Sequence, residues 1–353
     1  MKLFQCENCG QVLHFENTKC ERCGYKVGFE PMSLQLRSFK GNERRYCKNH
    51  EQGVCNWLVN PESSTTLCKA CELNHYIPNV QDADIRKNWR DLEFAKHRLV
   101  YSLLRLQLPL NSKSVEPESG LWFDFIDPDQ VVPDDAETMT GHQGGKITLS
   151  LQEADPAERE KNRVNMKERY RTLLGHLRHE VGHYYWDLLI LPFPHRLKSF
   201  RAHFGDESND YGQALKNHYH QGPPPDWNRH FISAYATSHP WEDWAETWSH
   251  YLHLIDTMET ANALGVSTSP RVEDQASAMA MVADVDPFLP IDFDSFLEKA
   301  VALTYAVNSL NRSMGQLDLY PFILNPTVKQ KLTFIHNLLL EVREASSPGT
   351  GLI

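Results

Sequence analysis

The chain has 353 residues, of which 41% are hydrophobic, so it is long enough for two or three domains with a sizeable core. Its formal net charge of -10 at pH 7 argues against a protein devoted to binding nucleic acid, because phosphate contacts need a concentrated basic surface. No apolar run approaches the roughly 20 residues that span a bilayer and the first residues lack a signal-peptide core, so we expect a cytoplasmic protein without membrane contact.

All eight cysteines fall between Cys6 and Cys71, which marks a separate cysteine-built region. In a cytosolic chain, C-x-x-C pairs indicate zinc ligation rather than disulfides. The first group consists of two such pairs, Cys6 with Cys9 and Cys20 with Cys23. A glycine follows each pair and lets the backbone turn, so that four thiolates can complete a closed tetrahedral site. Residues 1–30 are therefore predicted to form a zinc ribbon.

Residues 30–45 are interpreted as a linker, and residues 44–80 as a second zinc-binding module. The cysteines of this module are Cys47, Cys55, Cys68 and Cys71. His50 and His75 could each replace a cysteine, but four thiolates are favoured over a neutral imidazole. Residues 57–59 are expected to pack beneath the site. Neither group leaves a position open for water, so both zinc ions are expected to be structural and to stabilise short segments.

Residues 82–108 have helical periodicity and precede Pro109. Residues 121–126 and 146–151 alternate apolar and polar side chains and predict two strands of one small sheet, with a turn at residues 141–145. An exposed edge at the second strand could pair with an extended peptide, and a plain structural hairpin explains the pattern equally well.

The stretch LGHLRHEVGHYYWDLL, residues 174–189, predicts a helix, with Asp155-Pro156 as its start signal and Pro192 as its stop. His179 and His183 are four residues apart, so both imidazoles leave one face of the helix and can bind the same ion.

Glu180 follows the first of these histidines directly and would lie beside the open position of a zinc site, where it can take a proton from a water molecule. Gly182 costs this helix about 1 kcal/mol relative to alanine, so we expect a close approach to another backbone or to the site itself.

A third ligand is predicted on a helix that begins at Pro240. Glu242 and Glu246 are one turn apart there, so Glu242 can bind the metal while Glu246 accepts the free N–H of a ligating histidine. An acidic first turn complementing the helix dipole would explain Glu242 but not Glu246. His239 and His250 are weaker ligand candidates.

Further helices are predicted at residues 241–258, 293–313 and 327–342, and residues 346–353 are expected to be a disordered tail. The fold class predicted is α+β. N-terminal zinc-ribbon modules precede a mainly helical, zincin-like metallopeptidase domain with a small sheet, residues 82–345.

The motifs CENCG, GVCNWLV, CKAC, HEVGHYYW, YATSHPWEDWAE and YPFILNP together resemble the bacterial zinc-ribbon-containing metallopeptidase family. The pairing of HEVGH with EDWAE is also similar to gluzincin peptidases of the lethal factor type. This resemblance implies His179, His183 and Glu242 as ligands and Glu180 as general base. It further implies that Tyr235, seven residues before Glu242, stabilises the oxyanion.

The function predicted is hydrolysis of a protein or peptide substrate, with one catalytic and up to two structural zinc ions. The ribbons could also recruit a protein partner. The alternative is a zinc-binding sensor or adaptor built on a metalloprotease-like fold, although such a module has no use for a general base. A nucleic-acid reader is disfavoured, because residues 1–80 carry 10 Lys and Arg against 8 Asp and Glu.

Overall fold

The computed structural model describes residues 1–130, 140–165, 171–271 and 279–346. These residues divide into two units, one made of residues 1–165 with 171–180, the other of residues 181–271 with 279–346. Among the described residues the α-helices are α1 (Ala83–Arg105), α2 (Pro156–Asn165), α3 (Leu173–Leu189), α4 (Pro194–Phe204), α5 (Tyr211–Gln221), α6 (Pro240–Leu264), α7 (Phe293–Ser313) and α8 (Pro326–Ser346). The strands are β1 (Phe4–Gln5), β2 (Val12–Leu13), β3 (Lys26–Glu30), β4 (Gln35–Phe39), β5 (Asn74–Tyr76), β6 (Trp122–Ile126), β7 (Gly141–Gln143), β8 (Lys146–Ser150), β9 (Ser267–Thr268) and β10 (Met281–Val282). The mainly helical α+β class with small sheets is confirmed.

Residues 30–39 of the segment interpreted as a linker instead belong to a β-hairpin. Strands β3 and β4 pair antiparallel, with Phe29 opposite Leu36. Phe29 is fully buried, and the centre of its ring lies 4.5 Å from that of Trp57. This aromatic contact packs the hairpin against the residues around Trp57. Trp57 and the two residues after it are buried as predicted. The linker prediction was wrong because short strands between polar turns resemble a flexible connection.

A four-stranded sheet in the first unit has the order β5-β6-β8-β7. Strands β6 and β8 belong to one sheet, as predicted, and they run parallel to each other. The turn expected at residues 141–145 is mostly strand β7, which pairs antiparallel with β8. Strand β8 therefore has a neighbour on each side, so the exposed edge considered for this strand was wrong. The alternative, a plain hairpin of the two predicted strands, was also wrong, because β6 and β8 are parallel.

The helix with the HExxH sequence begins later than predicted. Asp155-Pro156 starts the separate helix α2, where the Asp155 carboxylate caps the backbone N–H groups of Ala157 and Glu158. Helix α3 begins at Leu173, after Thr172, whose Oγ1 accepts the N–H of Gly175 at 3.0 Å. The two helices read as one pattern because residue 164 happens to continue the apolar spacing, although Val164 is exposed.

The second unit is built around the buried helix α6, which packs on α4 and α8. Trp244 and Trp248 of α6 are fully buried. Asp243 forms an ion pair of 2.6 Å with Lys331 of α8, and both side chains are buried. Burial raises the pKa of Asp243 to about 7, although the Lys331 charge opposes this shift. The pair fixes α8 against α6.

Helices α7 and α8 match the two predicted near residues 293–313 and 327–342. The predicted tail falls mostly on residues 347–353, which lie outside the described residues. None of the described helices is both long and apolar enough to cross a membrane.

Candidate functional sites

The first cysteine group converges as the ribbon prediction requires. Its four sulfur atoms are those of Cys6, Cys9, Cys20 and Cys23, and they lie within 4.8 Å of one another. Four sulfurs bound tetrahedrally to one zinc at about 2.3 Å would be about 3.8 Å apart. The Sγ atoms of Cys6 and Cys23 are 3.5 Å apart and those of Cys9 and Cys20 are 3.6 Å apart. The group therefore fits a single zinc ion.

The second cysteine group is more deeply buried than the first. It consists of Cys47, Cys55, Cys68 and Cys71, whose sulfur atoms also lie within 4.8 Å of one another. His50 turns its Nδ1 to the carbonyl oxygen of Cys55, and His75 turns its Nδ1 to the carboxylate of Asp124. The preference for four cysteines over either histidine agrees with this arrangement.

A histidine that the sequence reasoning missed faces the second cysteine group from helix α1. The Nε2 atom of His97 lies 3.3 Å from the sulfur of Cys55 and 3.8 Å from that of Cys71. Its Nδ1 is 2.5 Å from the carbonyl oxygen of Glu93, so Nδ1 carries a proton and Nε2 faces the thiolates. No spacing rule connects His97 to these cysteines, because they lie at least 26 residues away.

The HExxH helix and α6 supply a third group of metal-ligand type. Nitrogen atoms of His179 and His183 and a carboxylate oxygen of Glu242 lie within 4.8 Å of one another. His183 Nε2 is 3.6 Å from Glu242 Oε1. Glu242 is only 1% exposed, and burying a carboxylate costs several kcal/mol unless a cation compensates it. Two imidazoles beside a buried carboxylate fit a zinc ion.

Gly182 explains how α3 comes close enough to α6 for this group to form. A Cβ atom at position 182 would lie 3.1 Å from the Cα of Ala245 and 3.2 Å from Cδ1 of Trp248. The carbonyl oxygen of Gly182 also accepts the indole N–H of Trp244 at 2.8 Å. The expected close approach to another backbone is thus confirmed, and it is the backbone that carries Glu242.

Glu180, the candidate base, contacts a histidine on its own helix. His176 Nε2 is 3.0 Å from Glu180 Oε1, and His176 Nδ1 is 2.6 Å from Glu153 Oε2. Burial lowers the pKa of His176, but the Glu153 charge and the hydrogen bonds to both carboxylates outweigh it and raise that pKa to about 10. The imidazole is therefore positively charged at neutral pH. Sequence reasoning did not single out His176.

Two further residues near the ligand candidates were also missed. The hydroxyl of Tyr211, at the start of α5, donates to Glu242 Oε1 at 2.6 Å. Asp187 lies one helical turn after His183; burial raises the pKa of its carboxyl to about 6, and the charge of His183 opposes that shift. The spacing of Asp187 from His183 was a usable signal, whereas nothing in the sequence relates Tyr211 to Glu242.

The remaining candidates lie on or just before α6. Tyr235 is half-buried in a 3₁₀ turn, with its ring 6.0 Å from that of His218. Glu246 Oε2 accepts the hydroxyl of Ser233 at 2.5 Å. His239 caps α6 by accepting the N–H of Trp241.

His250, the other weaker ligand candidate, is buried in α6 at a distance from this capping position. Its Nδ1 lies 2.8 Å from the hydroxyl of Tyr320. The ligand-type group formed by α3 and α6 contains neither His239 nor His250.

Comparison with known proteins finds two family models that match successive parts of the chain. A family model described as "Putative zinc-binding metallo-peptidase" matches residues 85–338, and a zinc-ribbon model matches residues 3–82. Uncharacterized proteins of Mycobacterium bovis and Mycobacterium tuberculosis are 39% identical over 349 residues, which cover 99% of this chain and 98% of each relative. A comparison with solved structures gives no match. The resemblance to the zinc-ribbon-containing metallopeptidase family is confirmed.

Proposed function

The chain belongs to this family of zinc-binding metallo-peptidases, and from that premise we propose that it hydrolyses peptide bonds in a protein or peptide substrate. The observation that carries the proposal is the convergence of His179, His183 and Glu242 donor atoms within 4.8 Å. Glu180 directly follows the first of these histidines, as a general base in an HExxH site must. Family membership and site geometry thus support the same class of reaction.

In the proposed site the two histidines and Glu242 hold the zinc. When bound, zinc supplies Lewis-acid chemistry that makes water acidic and polarises the scissile carbonyl. Glu180 takes the proton from the attacking water and delivers it to the leaving amine. Tyr235 donates a hydrogen bond to the oxyanion of the tetrahedral intermediate. Glu246 supports a ligating histidine.

The cysteine groups have a different proposed role. Eight thiolates in two closed groups have no open position for a substrate, so we assign them to structural zinc ions that stabilise the ribbon segments. Zinc binding by the ribbon region agrees with the zinc-ribbon match over residues 3–82. One catalytic and two structural ions per chain is the proposed stoichiometry.

Metal removal tests the proposed function as a whole. Dialysis against a chelator is expected to abolish cleavage of a mixed peptide library, and added zinc is expected to restore it. Without the metal, the pKa of the attacking water is not lowered, so Glu180 cannot readily remove its proton. Mass spectrometry of the products measures both steps. Circular dichroism before and after chelation shows whether the chain stays folded, and only samples that do are compared. Cleavage that continues at full rate in metal-free, folded protein would contradict the proposal.

Two tyrosines are expected to respond differently to loss of their hydroxyl groups. Tyr235→Phe should lower kcat more than it raises KM, because its proposed bond to the oxyanion forms mainly in the transition state. Tyr211→Phe should instead weaken zinc binding by about 10- to 100-fold, because it loses the hydrogen bond that orients Glu242. Steady-state kinetics and competition with a fluorescent zinc chelator measure the two effects.

Tyr219→Phe is the matched control for both variants, because Tyr219 is an exposed tyrosine of α5. It should leave kcat, KM and zinc affinity unchanged. If Tyr235→Phe raises KM with kcat intact, Tyr235 binds substrate and does not stabilise the oxyanion. Wild-type zinc affinity in Tyr211→Phe would show that its hydroxyl does not orient the ligand.

A further inference from the structure

His176 is held between two carboxylates, those of Glu153 and Glu180. Its ring nitrogens lie 2.6 Å from Glu153 Oε2 and 3.0 Å from Glu180 Oε1. Carboxylates accept hydrogen bonds, so an imidazole in this position donates from both nitrogens. The three side chains are 15% exposed or less, and charge-assisted hydrogen bonds of this kind are short and directional.

Glu153 is itself fixed by the backbone around it. It lies in a 3₁₀ turn, Leu151–Ala154, that follows strand β8 directly. The guanidinium of Arg159 donates to the carbonyl oxygen of Glu153 at 2.7 Å, and Arg171 Nη2 lies 3.6 Å from Glu153 Oε2. The outer end of the Glu153–His176–Glu180 chain is therefore anchored to the end of a central strand.

A glutamate side chain has three rotatable bonds, and a general base must keep one carboxylate oxygen directed at the proton it removes. The hydrogen bond from His176 to Oε1 restricts rotation about these bonds and so limits the orientations of the carboxylate. We infer that His176, backed by Glu153, is a positioning residue that holds the Glu180 carboxylate in its working orientation. This role rests on the proposed peptidase function.

The competing explanation is a tether that only joins the start of α3 to the end of β8. A tether affects the free energy of unfolding, whereas a positioning residue affects kcat in protein that remains folded and zinc-loaded. Substitutions that keep or remove the donor to Glu180 separate the two roles, because glutamine retains an N–H near the place of Nε2 and leucine does not.

The test compares His176→Leu, His176→Gln and Glu153→Gln in the zinc-loaded full chain, with the exposed His14→Leu as control. His176→Leu should lower kcat by about 10- to 100-fold with KM and zinc content unchanged. The kcat of His176→Gln should be close to that of wild type. The kcat of Glu153→Gln should lie between those of His176→Leu and His176→Gln. Equal kcat losses in the leucine and glutamine variants, or a kcat within about twofold of wild type in His176→Leu, would overturn the positioning role.

A second measurement judges this inference without using activity. Proton NMR of the zinc-loaded chain should show two protected ring N–H protons that disappear in His176→Leu. Glu180→Gln should shift one of them and Glu153→Gln the other. If both signals stay in place in Glu180→Gln, His176 does not hold Glu180. If wild type cleaves no peptide but both His176 signals shift in the two variants, the proposed peptidase function is wrong, while the contact of His176 with Glu153 and Glu180 is confirmed.

Discussion

Glu180→Gln is expected to lower kcat by about 10²- to 10⁴-fold, the usual contribution of a general base, while the zinc content of the protein stays the same. Glutamine has the size of glutamate, so α3 and the ligand histidines keep their positions. Its amide oxygen can still accept a hydrogen bond, but it cannot take a proton at neutral pH. Chemistry should therefore stop at the first step, with substrate binding retained.

Glu158→Gln provides the control for charge loss, because Glu158 is a partly exposed glutamate of α2, paired with Lys161. Its kcat should equal that of wild type. Initial rates on any cleaved peptide, together with zinc analysis of each variant, measure the comparison. A Glu180→Gln protein that keeps its zinc and turns over at the wild-type rate would exclude Glu180 as the base.

The second large effect concerns the metal ligands. Glu242→Ala is expected to remove one zinc per chain and all activity, while the cysteine-bound zinc remains. Glu242 lies in the ligand-type group with His179 and His183, and a site with only two protein ligands loses most of its affinity. His179→Ala should give the same result. Elemental analysis of purified protein measures the loss.

Glu246→Ala, one turn further along α6, is the matched comparison. Because its proposed role is to support a ligand, it should weaken zinc binding by only about 10- to 100-fold. The reverse order, with zinc lost in Glu246→Ala and kept in Glu242→Ala, would mean that the two glutamates have exchanged roles. Full retention of zinc in His179→Ala would exclude the site on α3.

The groupings of ligand-type residues that the sequence indicated depend mainly on short spacings. Each C-x-x-C pair brings two sulfur atoms together within one short turn, and H-E-x-x-H brings two imidazoles to one face of a helix. The ligand-type groups found in the structure contain these residues, along with Glu242 from a helix whose start was marked by Pro240. The cost of Gly182 in a helix also pointed correctly to a close backbone contact.

The features missed depend on contacts between residues far apart in the chain. Tyr211 and Glu242 are 31 residues apart, and His176 and Glu153 are 23 apart, so no periodicity connects them. The alternating sequence of β8 left open whether this strand was an exposed edge or part of a hairpin, because its pairing on both sides depends on the positions of β6 and β7. Side-chain networks of this kind become visible only in the folded chain.

Substrate cleavage after capture tests the central claim most directly. Zinc-loaded Glu180→Gln protein should bind its substrate without cutting it, so it can be used to capture proteins from a lysate. The captured proteins are then incubated with wild-type enzyme, and new N-termini are identified by mass spectrometry. We expect wild type to cleave at least one captured protein, and a chelator to prevent it. If zinc-loaded wild type cleaves none of them, the peptidase proposal is contradicted, and the zinc-dependent adaptor becomes the better description.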